Sequence, residues 1–165
     1  MPTDRLMLAD VLAAAAVIRG QADGTPLVPS HIPGLGQEML LKLETTQPMG
    51  AFKLRGAMNA LAALPPGTPG VVCCSTGNHG RAIAYAARKR RMRAVVCMSA
   101  LVPEAKVAGI RARGAEVLII GRSQDDAAEE SRRLVVAEGL VEIPPFDDAR
   151  VIAGQGTVGL EIMAA

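Results

Sequence analysis

The chain has 165 residues, enough for one domain with a core of its own; at this length folding removes ~70% of the unfolded surface from water. Its 18 basic and 16 acidic residues leave a formal charge of +2, too even a balance to make nucleic acid or a membrane the main partner. Half of the residues are hydrophobic but only 2% are aromatic, so the core must be assembled from Ala, Val, Leu, Ile and Met, a mix suited to helices on a largely buried parallel sheet.

Residues 7–19 place Leu8, Val11, Leu12, Ala15 and Ile18 on one face at helical spacing, with a start near Thr3 or Asp4 and Gly20 as the stop. Pro26, Pro29, Pro33, Gly34 and Gly36 then break regular structure until a short apolar strand at 39–43. A helix from Phe52 to about Leu64 ends at Pro65-Pro66-Gly67. Strands at 71–74, 94–98 and 116–120 alternate with helices at 78–90, 103–113 and 123–138, the signature of a parallel sheet covered on both faces. Pro103 suits a first helical turn, Gly114 and Gly139 suit C-terminal stops, and Ser123 with Asp126 resembles a capping box. A last helix covers about 151–163.

Neither the ends nor the cysteines suggest export. Met-Pro-Thr-Asp-Arg leads into an Ala-rich stretch without a small-residue cleavage site, and no apolar run reaches the ~18 residues of a membrane span. Cys73, Cys74 and Cys97 fall within apolar strands, and the adjacent Cys73 and Cys74 point to opposite faces, so neither a disulfide framework nor a zinc knuckle is indicated. A reducing cytoplasm is the expected compartment.

Two segments stand out chemically. In VVCCSTGNHG, Ser75, Thr76, Gly77 and Asn78 form a loop between a buried strand and a helix start, where free N–H groups and the helix dipole favour an anion. Ligands of open α/β sheets usually bind at this end of the strands. Plain helix capping by Ser75, Thr76 or Asn78 is the competing explanation. In GAFKLRGA, Lys53 stands where a Pro/Gly-rich loop passes into a helix. A solvated surface charge is the ordinary reading of such a lysine, but desolvation by Phe52 and Leu54 would lower its pKa and suit it to act as nucleophile or base.

Taken together, LLKLETTQPMGAFKLRGA (40–57), STGNHGRAIAYAAR (75–88) and PPFDDARVIAGQGTVGLEI (144–162) resemble, in order, three signatures of the serine/threonine dehydratase family of fold-type II pyridoxal-phosphate (PLP) enzymes. That family includes serine racemases, and the stretch from Gly114 to Ala127 is similar as well. The resemblance implies an α/β fold of the tryptophan synthase beta-like type, with three-layer parallel sheets. It divides the chain into an N-terminal part of the large domain (1–68), a small α/β domain (69–144) and a return into an incomplete large domain (145–165). It also implies that Lys53 carries PLP as a Schiff base, that Phe52 packs against the cofactor ring, and that Asn78 hydrogen-bonds its phenolic oxygen. Ser75, Thr76, Gly77, Asn78 and His79 would hold the carboxylate of a small amino-acid substrate, and a homodimer would be usual. Leu54-Arg55-Gly56 after the lysine favours the dehydratase branch, and STGNHGRAIAYAA, CMSALVPEAK and GRSQDDA look like the branch associated with hydroxyectoine utilisation.

The implied reaction is loss of the hydroxyl and amine from a β-hydroxy amino acid, with Lys53 removing the Cα proton. Ala51 replaces the usual Ser of the motif, and Thr76 stands where racemases carry Ser, which disfavours racemisation. The Gly-rich loop that binds the PLP phosphate in relatives has no counterpart in these residues. An inactive chain that acts at most as a binding or self-associating domain is therefore the alternative.

Other signals carry less. Gly154-Gln155-Gly156-Thr157-Val158-Gly159 matches a dinucleotide fingerprint but follows no strand. The basic run Arg88 to Arg93 lies at a helix C-terminus without interleaved aromatics, so it reads as a solvated face. His31 and His79 are too few for a zinc site, no metal is expected, and Asp147 and Asp148 read as a turn and cap for the last helix.

Overall fold

The computed structural model describes residues 6–22, 24–30 and 39–165. Its centre is a four-stranded parallel sheet of β3 (Val71–Cys74), β4 (Ala94–Met98), β5 (Glu116–Ile119) and β6 (Val141–Glu142), in the order β5-β4-β3-β6. β3 and β4 read as unbroken apolar runs because both faces are covered. Val72, Val95 and Cys97 pack with Ala127 and Leu134 of α5 (Gln124–Glu138). On the other face Val71, Cys73, Val96 and Met98 meet Ala82 and Ile83 of α3 (Asn78–Lys89) and Val107 and Ile110 of α4 (Glu104–Arg111). The result is three layers. Cys73 and Cys74 pack into opposite clusters, as the pleat requires.

The winding of the sheet sets the site. From β3 the chain moves outward to β4 and β5, then returns through α5 to β6 on the other side of β3. The strand order therefore reverses between β3 and β6, and the crevice beyond their carboxyl ends is a topological switch point. Loop 75–77 and segment 143–148 leave the sheet at this crevice.

Three further helices, α1 (Leu8–Ile18), α2 (Lys53–Ala62) and α6 (Ala149–Met163), pack on one another, and α2 also packs on α3. The interface between α2 and α6 is built from glycines. A Cβ on Gly154 would stand 2.6 Å from the Arg55 carbonyl oxygen and 2.7 Å from the Gly56 Cα, so only hydrogen fits there.

Several local expectations change. The Pro-rich stretch contains a strand, β1 (Leu27–Ser30), paired antiparallel with β2 (Met39–Lys42), with Pro29 opposite Leu40. Proline is tolerated because a two-stranded ribbon is all edge. Pro33, Gly34 and Gly36 lie outside the described residues, as do Thr3, Asp4 and His31. α1 starts at Leu8, where the Asp10 carboxylate accepts the Met7 N–H at 2.7 Å. Its buried residues are Ala14 and Ile18, whereas Leu8 and Leu12 face outward, because an Ala-rich helix that is apolar all round does not specify its inner stripe. α6 begins two residues earlier than spacing predicts, since Asp148 accepts the N–H groups of Arg150 (2.9 Å) and Val151 (3.2 Å). The Ser123 and Asp126 capping box is present, and Gly139 ends α5 at φ 65°.

Candidate active site

The corner after β3 is shaped by one hydroxyl. The Ser75 N–H continues the ladder to the Cys97 carbonyl (3.2 Å), while Ser75 Oγ accepts the N–H of Gly80 (2.9 Å) and, at 3.4 Å, of Gly77. Ser75 thus serves the loop itself, which is the capping alternative realised for this residue. The N–H groups of Asn78 and His79 belong to the first turn of α3, where no intrahelical acceptor exists, and no side chain accepts from them among the described residues. Thr76 and Asn78 are exposed, and a Cβ at Gly77 would meet nothing within 4 Å, so the space above the loop is open. Asn78 Oδ1 accepts from Arg81 at 3.4 Å, which leaves its amide nitrogen free to donate among the described residues.

Lys53 is the first residue of α2 and donates from Nζ to the Pro145 carbonyl at 2.7 Å. His79 is buried, with Nε2 at 2.9 Å from the Ile143 carbonyl. Two neighbouring carbonyls after β6 thereby draw the lysine of α2 and the histidine of α3 into one crevice. Partial burial lowers the Lys53 pKa. Burial also pushes His79 down to about 4, and the Lys53 charge adds to that, so the ring is neutral at pH 7 and Nε2 donates to Ile143. Phe52, 42% exposed, has its ring centroid 5.4 Å from Lys53 Nζ.

Sequence reasoning missed the polar cluster behind this lysine. Arg55 is fully buried and donates to both oxygens of Glu44 (Nε 2.9 Å, Nη2 2.7 Å) and both oxygens of Glu161 (Nη1 2.6 Å, Nη2 2.9 Å). Thr157 Oγ1 lies 3.1 Å from Nη1, and Lys42 Nζ reaches Glu161 at 2.5 Å. Burial alone would raise the Glu161 carboxyl, but hydrogen bonds from Arg55 and Lys42 outweigh it and hold the group at about 2. The one available signal was a charge directly after the lysine motif, in the largely apolar stretch LRGAMNALA.

The basic run is remote from this crevice. A cavity of about 470 Å³ between Pro65–Pro69 and Arg90–Arg93 lies at the amino ends of the strands, and its Arg93 is already paired with Glu116 (2.7 Å) and Glu138 (2.5 Å).

The fold is an open α/β sheet with a crevice at its switch point, and comparison with known proteins gives its class. The family described as "Pyridoxal-phosphate dependent enzyme" matches residues 18–165, and the chain belongs to it. A biosynthetic, chloroplastic threonine dehydratase of Arabidopsis thaliana is 45% identical over 130 residues, 78% of this chain and 22% of that protein. The structure of the processed form of threonine deaminase isoform 2 from Solanum lycopersicum matches with a TM-score of 0.85 and 36% identity over 95% of this chain and 44% of that one. Maize serine racemase matches with a TM-score of 0.90 and 32% identity over 94% of this chain and 49% of that one. The chain therefore spans about half the length, or less, of these relatives. No described helix is long and apolar enough to cross a membrane.

Proposed function

We propose that the chain carries the lysine-bearing part of a PLP-dependent dehydratase or ammonia-lyase that removes the hydroxyl and amine from a β-hydroxy amino acid. The observation that carries this reading is the meeting of Lys53 and the 75–79 loop across the carbonyls of Ile143 and Pro145. The residues present fit PLP: a half-buried amine of lowered pKa, a ring beside it with an open face, and unbonded N–H groups at a helix start. When bound, PLP would supply an electron sink that acidifies the substrate Cα–H.

The chain's own groups supply the rest. A lowered pKa gives Lys53 Nζ a larger neutral fraction at pH 7, as an amine needs in order to attack a carbonyl and later accept the Cα proton. The N–H groups of Asn78 and His79 hold the carboxylate at the positive end of α3, which orients the Cα–H bond toward Nζ. Thr76 and Gly77 form the open lip of the same loop, Ser75 keeps its shape, and Phe52 would offer its exposed face to the cofactor ring. The Asn78 amide nitrogen would donate to the cofactor's phenolic oxygen.

Within this class, a threonine-like or serine-like substrate is the coarser reading and a hydroxyectoine-derived one the finer. The packing of α1, α2 and α6 apart from the sheet favours large-domain parts at 1–68 and 145–165 around a small domain at 69–144. Three free cysteines favour a reducing compartment, and we place the protein in the cytoplasm. Exposed Leu8, Leu12, Leu40, Ile162 and Met163 favour a second reading, in which the chain self-associates, as a homodimer for example, without catalysis.

Mixing the purified chain with PLP and recording absorbance near the visible edge separates these readings. A lysine adduct band in the wild type that Lys53→Ala abolishes is the expected result. Identical spectra for the two proteins overturn the assignment of Lys53.

A further inference from the structure

The first turn of α2 carries Lys53 but has no side chain capping it and no acidic residue within it. Ordinary helix-end devices therefore do not fix the backbone that bears this amine. Two residues on, about 200° around the helix, Arg55 points away from Lys53 into the protein. Its guanidinium is shared between Glu44, in the 3-10 turn Glu44–Thr46, and Glu161, in the last turns of α6. Glu44 also accepts from Thr25 Oγ1 (2.5 Å), and Glu161 from Lys42 Nζ and, at 3.2 Å, from the Gly24 N–H. Two cations and two anions close the cluster at neutral charge.

Stability alone is a poor explanation for such a cluster. Buried ion pairs often contribute less than apolar residues of the same size, and fixing one register is their best-attested use. Two directional bonds from one planar fork to Glu161 oppose sliding or turning of α2 against α6, and two more to Glu44 tie α2 to the 3-10 turn. Close contact between Gly154 and the Arg55 carbonyl leaves no slack on that side.

We propose that Arg55, gripped by Glu44 and Glu161, is a positioning residue that fixes the first turn of α2 so that Lys53 Nζ stands at the Pro145 carbonyl beside the 75–79 loop. This rests on the reading of Lys53 as the reactive amine. Arg55 touches neither Lys53 nor the crevice, so it acts only through the helix.

The chain has four lysines, Lys42, Lys53, Lys89 and Lys106, so ¹³C-dimethylation gives few NMR signals, and Lys53→Ala assigns the one of interest. That signal is titrated in the wild type, in Arg55→Lys, whose single ammonium cannot grip two carboxylates, and in Glu161→Gln. The expected result is a rise of the Lys53 midpoint by about half a unit, a threefold loss of neutral amine at a given pH, as the side chain relaxes toward water. Leu134→Ala, in α5 and far from the cluster, should lower the melting temperature without moving the midpoint. If Arg55→Lys does not fold, Glu161→Gln decides, because Glu44 still holds Arg55 in that variant. Lower melting temperatures with an unmoved midpoint overturn the proposal. A moved midpoint in a protein that forms no PLP adduct refutes the cofactor reading and leaves the positioning role standing. An adduct in the wild type with unmoved midpoints in the variants does the reverse.

Discussion

Gly154 of α6 lies directly on the carbonyl of Arg55 in α2: a methyl group added to it would meet that oxygen at 2.6 Å and the Gly56 Cα at 2.7 Å. Both obstacles are backbone, so neither can turn aside. Gly154→Ala must drive the helices apart, and overpacking of this kind costs about 1–3 kcal/mol. Two other glycines of the same helix calibrate the effect. Gly156→Ala meets only the Val11 side chain at 3.1 Å and should cost less. Gly159→Ala meets nothing within 4 Å and should gain about 0.5–1 kcal/mol from helix propensity alone. Urea denaturation of the three variants should give this order, and a Gly154→Ala protein as stable as Gly159→Ala would refute the close crossing.

Ser75 offers a second test, because its hydroxyl is committed to the protein. Removing it leaves the buried Gly80 N–H without an acceptor, whereas removing Ser123 Oγ frees the exposed Asp126 N–H to bond water. Losing a cap costs about 0.5–2 kcal/mol, and the buried case belongs at the upper end. Ser75→Ala should therefore lower stability by about 1–2 kcal/mol and Ser123→Ala by less, as read from chemical denaturation midpoints. Equal losses would mean that Ser75 contributes no more than an exposed helix cap.

Much of this fold was legible in the sequence because local rules and tertiary packing agree. The apolar runs at Val71 and Ala94 are buried on both faces, and Gly114 and Gly139 take positive φ angles at helix ends. The inner face of α1 is not legible, since alanines on every side give periodicity nothing to choose between. β1 was hidden by Pro26 and Pro29, whose cost disappears at a sheet edge. At the candidate site the residue types were readable from their motifs, but the contact that joins them was not. Lys53 meets Pro145 across 92 residues through β6, a strand of two residues whose pairing leaves no pattern. Arg55 was visible only as a neighbour of the lysine, because Glu161 lies 106 positions away.

The burial of His79 makes a prediction about acid. Its imidazole titrates at about 4 in the folded chain, held down first by burial and then by the Lys53 charge, against an ordinary value of 6.5. Because the folded value is the lower one, the unfolded chain takes up a proton below pH 6.5 while the folded chain does not. The contribution is fully present above pH 6.5 and is lost as the pH falls toward 4, in all by roughly 3 kcal/mol. Glu161 follows with the same sign in a lower window: its carboxyl is held at about 2 by Arg55 and Lys42 against the raising effect of burial, so its share is lost between pH 4.5 and 2. The two windows separate the residues. In His79→Gln, whose amide can still donate to the Ile143 carbonyl but cannot ionise, stability from urea melts should stay flat between pH 6.5 and 4.5 and fall only below. Glu161→Gln should keep the upper decline and lose part of the lower one. Parallel curves for wild type and His79→Gln across the upper window would mean that the ring takes up its proton at the same pH in the folded chain as in the unfolded one. Burial would then not hold it neutral below pH 6.5, and its tie from the start of α3 to the strand end facing Lys53 would not carry the acid sensitivity.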